Sequence, residues 1–159
     1  MQSASACLAC QPVALQALVQ SEPALAALWQ ALPRRSFGPG AVLQRLGDAS
    51  DRCWLLESGL VRFYYLSEQG VERNRSFHTQ GSWVGGSMPP HPLPSPCTIE
   101  ALEATRAVEL TYATLQHWHR QFPQVQPLLD DAMGYLFTQQ ARREAELLSK
   151  VCRPVAFSR

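Results

Sequence analysis

Two pairs of metal-ligating side chains stand out in this sequence, Cys7 with Cys10 and His117 with His119. The cysteines have the C-x-x-C spacing of half a zinc or iron–sulfur site, but more than a hundred residues separate them from the histidines. Side chains two residues apart on a helix point to different faces, so His117 and His119 are not expected to share a metal ion. The residues therefore predict no metal and no cofactor, and they assign no role to Cys7 and Cys10.

Arg75 and Ser76 are candidates for binding an anion, because they are adjacent on a predicted strand. Alternation along the strand turns Arg75 toward the interior if Ser76 faces away. The alternative is a surface arginine paired with Glu72 or Glu57. The stretch Gly85, Gly86 and Ser87 offers backbone N–H groups to a small anion, and a tight turn without a ligand is an equal alternative.

The five cysteines are odd in number and irregular in spacing, at positions 7, 10, 53, 97 and 152. Such a set is typical of reduced thiols rather than of a secreted disulfide framework. The sequence contains no nucleophile elbow, zinc-protease motif or P-loop, and its carboxylates are dispersed, so we expect no enzyme. A cupin-like metal protein needs several strand histidines, and the predicted strands carry only His78, which makes it a weaker alternative.

The composition fits one globular domain: 159 residues and 17.7 kDa, with 46% hydrophobic and 17% charged side chains. The net charge is +1, a balance that does not favour direct binding to nucleic acid. The sequence has no run of about 18 apolar residues and no amino-terminal signal sequence. We therefore expect no membrane association and a cytoplasmic location.

Hydrophobic periodicity divides the chain into helix, strands and helix. Residues 1–11 are expected to be flexible, and residues 12–32 to be helical, with Pro23 in the first turn of a second helix that Ser21 caps. From Ser36 onward, short apolar runs about ten residues apart predict strands at residues 41–43, 53–56, 60–65, 76–77, 83–84, 98–102 and 107–110. Among their aromatic side chains, the core is expected to contain Phe63, Phe77 and Trp83.

Turn residues between these runs favour an antiparallel barrel or sandwich. Residues 67–70 form the clearest hairpin turn, and five glycines occupy positions where a reversing chain needs a positive φ: Gly40, Gly47, Gly59, Gly70 and Gly81. Residues 88–96 contain five prolines, so we expect a loop there with no paired strand.

After Pro123, apolar residues recur at helical spacing, which predicts a helix over residues 123–150. The helix is longer than a small barrel needs as a cover, and this favours pairing with a second copy of itself. The alternative is a helix that packs wholly on its own domain. The expected dimer contacts are Val125, Leu128, Leu129, Ala132, Tyr135, Leu136, Gln139 and Arg143.

Five separated segments, in order, resemble the sensor domain of the CRP/FNR family of bacterial transcription regulators: residues 37–48, 54–62, 70–73, 81–85 and 99–103. The resemblance covers residues 12–150. It implies a mainly β fold with flanking helices, namely a double-stranded β-helix (jelly-roll β-roll) of the cyclic-nucleotide-binding type over residues 12–122. It also implies a long C-terminal dimerisation helix over residues 123–150, followed by a tail at 151–159.

The resemblance also implies a phosphate-binding cassette, in which a glutamate binds the ribose while an arginine and a serine hold the phosphate. Here the cassette maps onto residues 85–88, where Gly86 replaces the glutamate, and onto residues 95–97, where Ser95 replaces the arginine. On the long helix, Gln140 aligns with the side chains that reach the purine. The cassette is therefore degenerate, and ordinary binding of cyclic AMP is not expected.

An iron–sulfur sensor of this family needs an amino-terminal cysteine cluster and one cysteine in the roll. Cys7 and Cys10 match only part of that cluster, and the roll position of the remaining ligand falls near Val108. We therefore expect an unknown small effector in a homodimeric sensor domain, with a non-sensing dimerisation or interaction module as the alternative. In the family, DNA is read by a further domain that this chain lacks, so the chain is interpreted as a fragment, a truncated product or a stand-alone sensor.

Overall fold

The computed structural model describes residues 17–87, 89 and 91–151, and within the last helix it describes only some of the side chains. The expected flexible segment at residues 1–11, together with Cys7, Cys10 and Cys152, lies outside the described residues, as does the expected tail after residue 151. Among the helices of the described ranges, none is long and apolar enough to cross a membrane.

The described helices are α1 (Pro23–Gln30), α2 (Tyr112–Gln121) and α3 (Val125–Val151), and residues 17–21 are also helical. The described strands are β1 (Arg34–Phe37), β2 (Val42–Gln44), β3 (Ala49–Ser50), β4 (Arg52–Ser58), β5 (Leu60–Leu66), β6 (Glu72–Thr79), β7 (Trp83–Gly85), β8 (Leu93–Pro94), β9 (Thr98–Ala101) and β10 (Thr105–Thr111).

Two four-stranded antiparallel sheets, β1-β10-β4-β7 and β2-β9-β5-β6, face each other, and β3 pairs with β8 as a short third sheet. The predicted mainly β roll with flanking helices is confirmed, and every predicted strand run overlaps an observed strand. The hairpin turn at residues 67–70 is also present, since the Gly70 N–H donates to the Ser67 carbonyl at 2.9 Å.

The sheet β1-β10-β4-β7 is buried on both faces at its central strands β10 and β4, whereas its edge strand β1 is mostly exposed. On one face it joins the helices in an apolar cluster that includes Leu25, Leu55, Val108, Leu110 and Trp118. On the other face it joins the opposite sheet in a second cluster that includes Trp54, Leu56, Val61, Ile99 and Ala107. Burial on both faces explains why apolar residues run without alternation through the middle of β4.

Two predictions about single residues are wrong. Ser21 does not cap α1: the N-cap residue is Glu22, and the Ser21 hydroxyl donates to the Leu18 carbonyl of the preceding turn at 2.9 Å. Phe77 does not lie in the core: it is 56% exposed, because Ser76 and His78 occupy the more buried side of β6 and alternation turns Phe77 outward. Phe63 is buried, and Trp83 packs half-buried against the helix cluster.

The proline-rich segment was expected to contain no paired strand, and this is also wrong. Leu93 pairs with Ser50 and Pro94 with Ala49, which forms the two-residue ladder of β3 and β8. A short ladder at an edge tolerates proline, because no continuous row of N–H donors is needed there. This pairing joins the proline-rich segment to Ala49 and Ser50, which precede β4.

The five turn glycines all have positive φ, as predicted: Gly40, Gly47, Gly59, Gly70 and Gly81. Gly59 is closely packed, since a Cβ at this position would overlap the Thr105 hydroxyl and lie 2.6 Å from Thr105 Cα. Gly70 has nothing within 4 Å of its added Cβ. The two positions therefore separate backbone strain from steric overlap.

Gly59→Ala is expected to lower the free energy of unfolding by about 3 kcal/mol, because strain at positive φ and overlap with Thr105 both oppose the side chain. Gly70→Ala, the matched control, carries only the strain and should cost about 1 kcal/mol. Urea denaturation of both variants measures the difference. Equal losses would contradict the close contact between Gly59 and Thr105.

Candidate functional site

Gly86 follows β7 directly and lies against Ser95, with Gly85 held at the strand end by pairing with Cys53. A Cβ added at Gly86 would overlap the Ser95 hydroxyl and lie 2.7 Å from Ser95 Cβ and 3.1 Å from Gln44 Cγ. Ser95 is only 2% exposed, and its hydroxyl donates to the carbonyl oxygen of residue 97 at 2.7 Å. The position at which the resemblance implies a ribose-binding carboxylate therefore has no space for a side chain.

Two donors of the glycine-rich turn, the Gly86 N–H and the Ser87 hydroxyl, are used inside the protein. The Gly86 N–H donates to Ser50 Oγ at 3.1 Å, and the Ser87 hydroxyl donates to the Ser50 carbonyl at 2.8 Å. The Tyr112 hydroxyl donates to the Ser87 carbonyl at 2.7 Å, and burial raises the pKa of Tyr112, which keeps this donor protonated. Of the two interpretations of this stretch, the geometry favours a closed turn.

A β-bulge in the ladder of β5 and β6 sets the direction of Arg75. Phe63 pairs with Ser76 and Tyr64 pairs with Asn74, so Arg75 has no residue opposite it. A bulge places two successive side chains on a similar side of the strand. Arg75 and Ser76 are both half-buried while Asn74 is exposed. The predicted alternation of Arg75 and Ser76 is therefore wrong, because the bulge interrupts it.

The Arg75 guanidinium lies beside groups that do not neutralise it. Its Nη1 is 4.0 Å from the Cys97 sulfur, and its Cζ is 5.9 Å from the centroid of the Tyr65 ring. Burial raises the pKa of the Cys97 thiol, against the opposing influence of Arg75, so the sulfur stays protonated and neutral. The contacts thus hold the arginine without supplying a counter-charge.

The surface pairing that was the alternative for Arg75 does not occur. Glu72 pairs with Arg62 at 2.8 Å, and Glu57 lies 3.8 Å from Arg34. Both carboxylates are thus engaged by other arginines. None of the ion pairs of the described residues includes Arg75.

Ser76 and His78 lie together on the half-buried side of β6, with Ser76 Oγ 3.0 Å from His78 Nε2. The His78 ring lies 4.6 Å from the Phe63 ring, centroid to centroid. In the described ranges, no group of three His, Cys, Asp or Glu side chains is arranged to hold a metal ion. Cys53 and Cys97 are free thiols, and burial raises the pKa of Cys53 to about 12.

The dimer contacts expected on α3 are only partly described. Val125 is 1% exposed and belongs to the helix cluster of its own chain, so its assignment to a dimer interface is wrong. Leu129 packs half-buried against the same cluster. The other expected contacts, and the candidate ligand residue on this helix, have side chains outside the described set: Leu128, Ala132, Tyr135, Leu136, Gln139, Arg143 and Gln140.

A buried carboxylate that the sequence analysis missed lies on the inner face of β10. Glu109 accepts hydrogen bonds from Arg35 Nε and Nη2, both at 3.2 Å, and its other ion pair is to Arg52 at 3.4 Å. Burial alone would raise the pKa of Glu109, but the hydrogen bond and charge of Arg35, with the charge of Arg52, hold it below its ordinary value. Glu109 lines an open cleft of about 730 Å³.

Trp54 Nε1 is buried in this cleft wall and faces the Glu109 carboxylate without reaching hydrogen-bond geometry to any described residue.

The sequence signal for the buried Glu109 carboxylate was its position between Val108 and Leu110, in a strand otherwise rich in buried residues. A lone carboxylate in such a strand indicates a buried ion pair, because an isolated charge there is too costly.

The family model for the cyclic nucleotide-binding domain matches residues 34–122, more than half of the chain. The chain belongs to the cyclic nucleotide-binding domain family. A curated relative, the transcriptional activator protein Anr of Pseudomonas protegens, is 30% identical over 103 residues, which are 63% of this chain and 41% of that protein. The chain thus covers less than half of the length of this relative, which is a CRP/FNR-type regulator.

Solved structures of regulators share the fold of this cyclic nucleotide-binding domain. The catabolite activator protein of Thermus thermophilus has a TM-score of 0.66 at 22% identity, with 79% of this chain and 58% of that chain covered. The regulator CLP of Xanthomonas campestris, described as responsive to c-di-GMP, has a TM-score of 0.61 at 15% identity, with 86% and 65% covered. At these identities the likeness extends to the fold alone.

Glu109→Gln tests the buried ion pair through its pH dependence. The pKa of Glu109 is lower in the folded protein than the ordinary 4.5, so its contribution to stability is present above pH 4.5 and is lost as the pH falls through the folded value. We expect the variant to lose about 1–3 kcal/mol of unfolding free energy at neutral pH and to approach the parent chain as the pH falls below the folded pKa of Glu109.

Urea denaturation at a series of pH values measures this difference. Glu103→Gln removes a carboxylate from an exposed turn position and serves as the control, with no change in the pH profile expected. If Glu109→Gln loses as much unfolding free energy at acidic pH as at neutral pH, the negative charge of Glu109 does not contribute to stability.

Proposed function

We propose that this chain is the effector-sensing domain of a CRP/FNR-type transcription regulator, with a degenerate cassette that does not bind cyclic AMP in the usual manner. The family match supports a regulatory domain, since the matched relative is a transcriptional activator. The contact of Gly86 with Ser95 is the observation that carries the finer statement. It leaves no space for the ribose carboxylate, and Ser95 itself stands where the resemblance implies the arginine that would hold the phosphate.

The output of such a sensor is a shift between two arrangements of a dimer. We assign the dimer contact to residues 123–150, the proposed dimerisation helix, which largely coincide with α3. We assign the sensor to the roll at residues 12–122. On α3, Phe137 is 78% exposed and Leu148 is 65% exposed. The step of eleven positions from one to the other is about three helical turns. In this proposal DNA contact would come from a segment other than residues 34–122, and the protein would act in the cytoplasm.

A non-sensing dimerisation module is the second candidate. The closed turn around Gly86, whose N–H and neighbouring hydroxyl already have partners, favours it. Both candidates predict that cyclic nucleotides do not bind. They differ in whether any small effector binds in the roll.

Calorimetric titration with cyclic AMP and cyclic GMP tests the cassette. Loss of a bidentate arginine–phosphate pair removes on the order of 2–5 kcal/mol, so we expect no saturable binding tighter than about 1 mM. A low-micromolar affinity for either nucleotide would refute the proposed state of the cassette. In that event, the same titration of Gly86→Ala, which obstructs the turn, would show whether the nucleotide lies beside Gly86.

Phe137→Glu tests the dimer helix. Burial of a phenylalanine side chain contributes about 1.5–3 kcal/mol, so we expect the dimer dissociation constant to rise by about tenfold or more. Sedimentation equilibrium of the full chain measures it. Phe77→Glu, at an exposed phenylalanine on β6, is the matched control and should leave the constant unchanged. If the parent chain stays monomeric at all concentrations measured, the dimer proposal is refuted.

A further inference from the structure

The cleft of about 730 Å³ beside the Glu109 ion pair lies outside the cassette. Strands β1, β4 and β10 of one sheet contribute lining residues, and so do β2 and β3. The glycine-rich turn at residues 85–87 and Ser95 are not among the described residues that line it. Small-molecule sites have volumes of about 300–1,000 Å³. The cleft is therefore large enough for a small organic ligand without any part of the cassette.

The indole N–H of Trp54 has no acceptor among the described residues. Trp54 is 3% exposed and lines the cleft, and its Nε1 is buried without a hydrogen-bond partner. The Glu109 carboxylate beside it is held by other donors, Arg35 at 3.2 Å and Arg52 at 3.4 Å. A buried donor without a partner is unfavourable. The position of Nε1 in the cleft wall therefore points to an acceptor from outside the chain.

The charges of the cleft disfavour an anion. Its lining has one negative charge in excess, because two guanidiniums face three carboxylates: Arg35 and Arg52 against Asp48, Asp51 and Glu109. Both guanidiniums are paired inside the chain, since Arg52 also holds Asp51 at 2.7 Å. Asp48 is exposed and belongs to none of the ion pairs between described residues. An anionic ligand is therefore repelled, whereas Asp48 offers an acceptor to a ligand N–H.

Part of the cleft wall is aromatic and aliphatic. The Phe37 ring lies 6.4 Å from the Trp54 ring, centroid to centroid, with the two planes at 88°. Leu43, Ala49 and Pro92 add aliphatic surface. Such a wall favours a flat apolar body over a sugar or an inorganic ion.

We infer that this cleft binds a small, uncharged aromatic amide. The carbonyl oxygen of the ligand accepts from Trp54 Nε1, its amide N–H donates to Asp48, and its ring lies against the apolar wall. A primary amide carries both hydrogen-bonding groups without a net charge, which matches a cleft whose own guanidiniums are already neutralised. The inference goes beyond the proposed function and does not depend on the state of the cassette.

Benzamide is the probe, titrated into the full chain by calorimetry, with benzoate and benzylamine as charged ligands of nearly the same size. We expect saturable benzamide binding with a dissociation constant below about 1 mM. Benzoate should bind more weakly by about tenfold or more, because the excess negative charge repels it. Benzylamine should also bind more weakly by about tenfold or more, because it has no acceptor for Trp54 Nε1.

Trp54→Phe tests the hydrogen bond to the carbonyl oxygen. The variant keeps a buried ring but lacks the N–H, so the benzamide affinity should fall by about tenfold or more. Trp29→Phe, at a half-buried tryptophan outside the cleft, is the matched control and should bind as the parent chain does. Benzamide should raise the unfolding temperature of the parent chain and of Trp29→Phe but not that of Trp54→Phe.

Asp48→Asn tests the charge of the cleft at an exposed position, where the fold does not depend on the side chain. Removal of the excess negative charge should strengthen benzoate binding, so the preference for benzamide over benzoate should narrow by about threefold or more. Glu68→Gln, in an exposed turn outside the cleft, is the control and should leave this preference unchanged. If Trp54→Phe does not fold, the ratio of the two affinities in Asp48→Asn decides the test.

Absence of benzamide binding to the parent chain would overturn the inference and would assign the acceptor of Trp54 Nε1 to a water molecule. Equal binding to Trp54→Phe, tighter binding of either charged ligand, or an unchanged preference in Asp48→Asn would also overturn it. The proposed function fails separately. Low-micromolar binding of cyclic AMP would refute the degenerate cassette whatever benzamide does, and absence of benzamide binding would leave the cassette result as it stands.

Discussion

Burial of the central strands β4 and β10 on both faces is the constraint on which the rest of the molecule depends. Leu55 on β4 points into the helix cluster, while Trp54 and Leu56 point into the roll. Because β7 pairs with β4, the pairing of Gly85 with Cys53 fixes where the chain leaves the sheet. The contact of Gly86 with Ser95 follows from that register, so the closed turn is a consequence of the core and not of the loop alone.

Charge is distributed unevenly inside the roll. At Glu109 one buried carboxylate is shared by Arg35 and Arg52, which gives an excess of cations around an anion and lowers the pKa of the carboxyl group. At Arg75 there is a cation with no anion among the described ion pairs. The first arrangement is complete without a ligand and stabilises the fold. The Arg75 guanidinium instead lies beside the neutral Cys97 thiol and the Tyr65 ring.

Sequence patterns predicted the elements in which the residue types of the segment itself match the burial or the backbone geometry that the structure shows. The apolar run of β4 and the five positive-φ glycines are examples, because strand burial and turn geometry each restrict the residue types directly. β1 was not predicted, since it begins with Arg34 and Arg35 and is mostly exposed. Neither was the pairing of Pro94 with Ala49, because a two-residue ladder leaves no pattern.

The candidate site was less accessible to sequence reasoning than the fold, and β6 shows the reason. Alternation was applied to Arg75 and Ser76 as if the strand were regular, yet the one-residue bulge opposite Phe63 changes which side chains share a face. Phe77 was predicted to lie in the core because aromatic side chains on strands are usually buried, and it is exposed because Ser76 and His78 occupy the inner side of β6. A bulge depends on the partner strand and leaves no mark in its own segment, so periodicity within β6 could not reveal it.

The serine at position 95 and the neighbouring Arg75 are physically linked. Ser95 and Cys97 belong to one short segment, joined by the hydrogen bond from Ser95 Oγ to the carbonyl oxygen of residue 97 at 2.7 Å, and Arg75 lies 4.0 Å from the Cys97 sulfur. Guanidinium groups at both positions would repel each other across a poorly solvated interior unless an anion lay between them. With serine at position 95, the Arg75 guanidinium is the only one of the described residues recorded in contact with this segment.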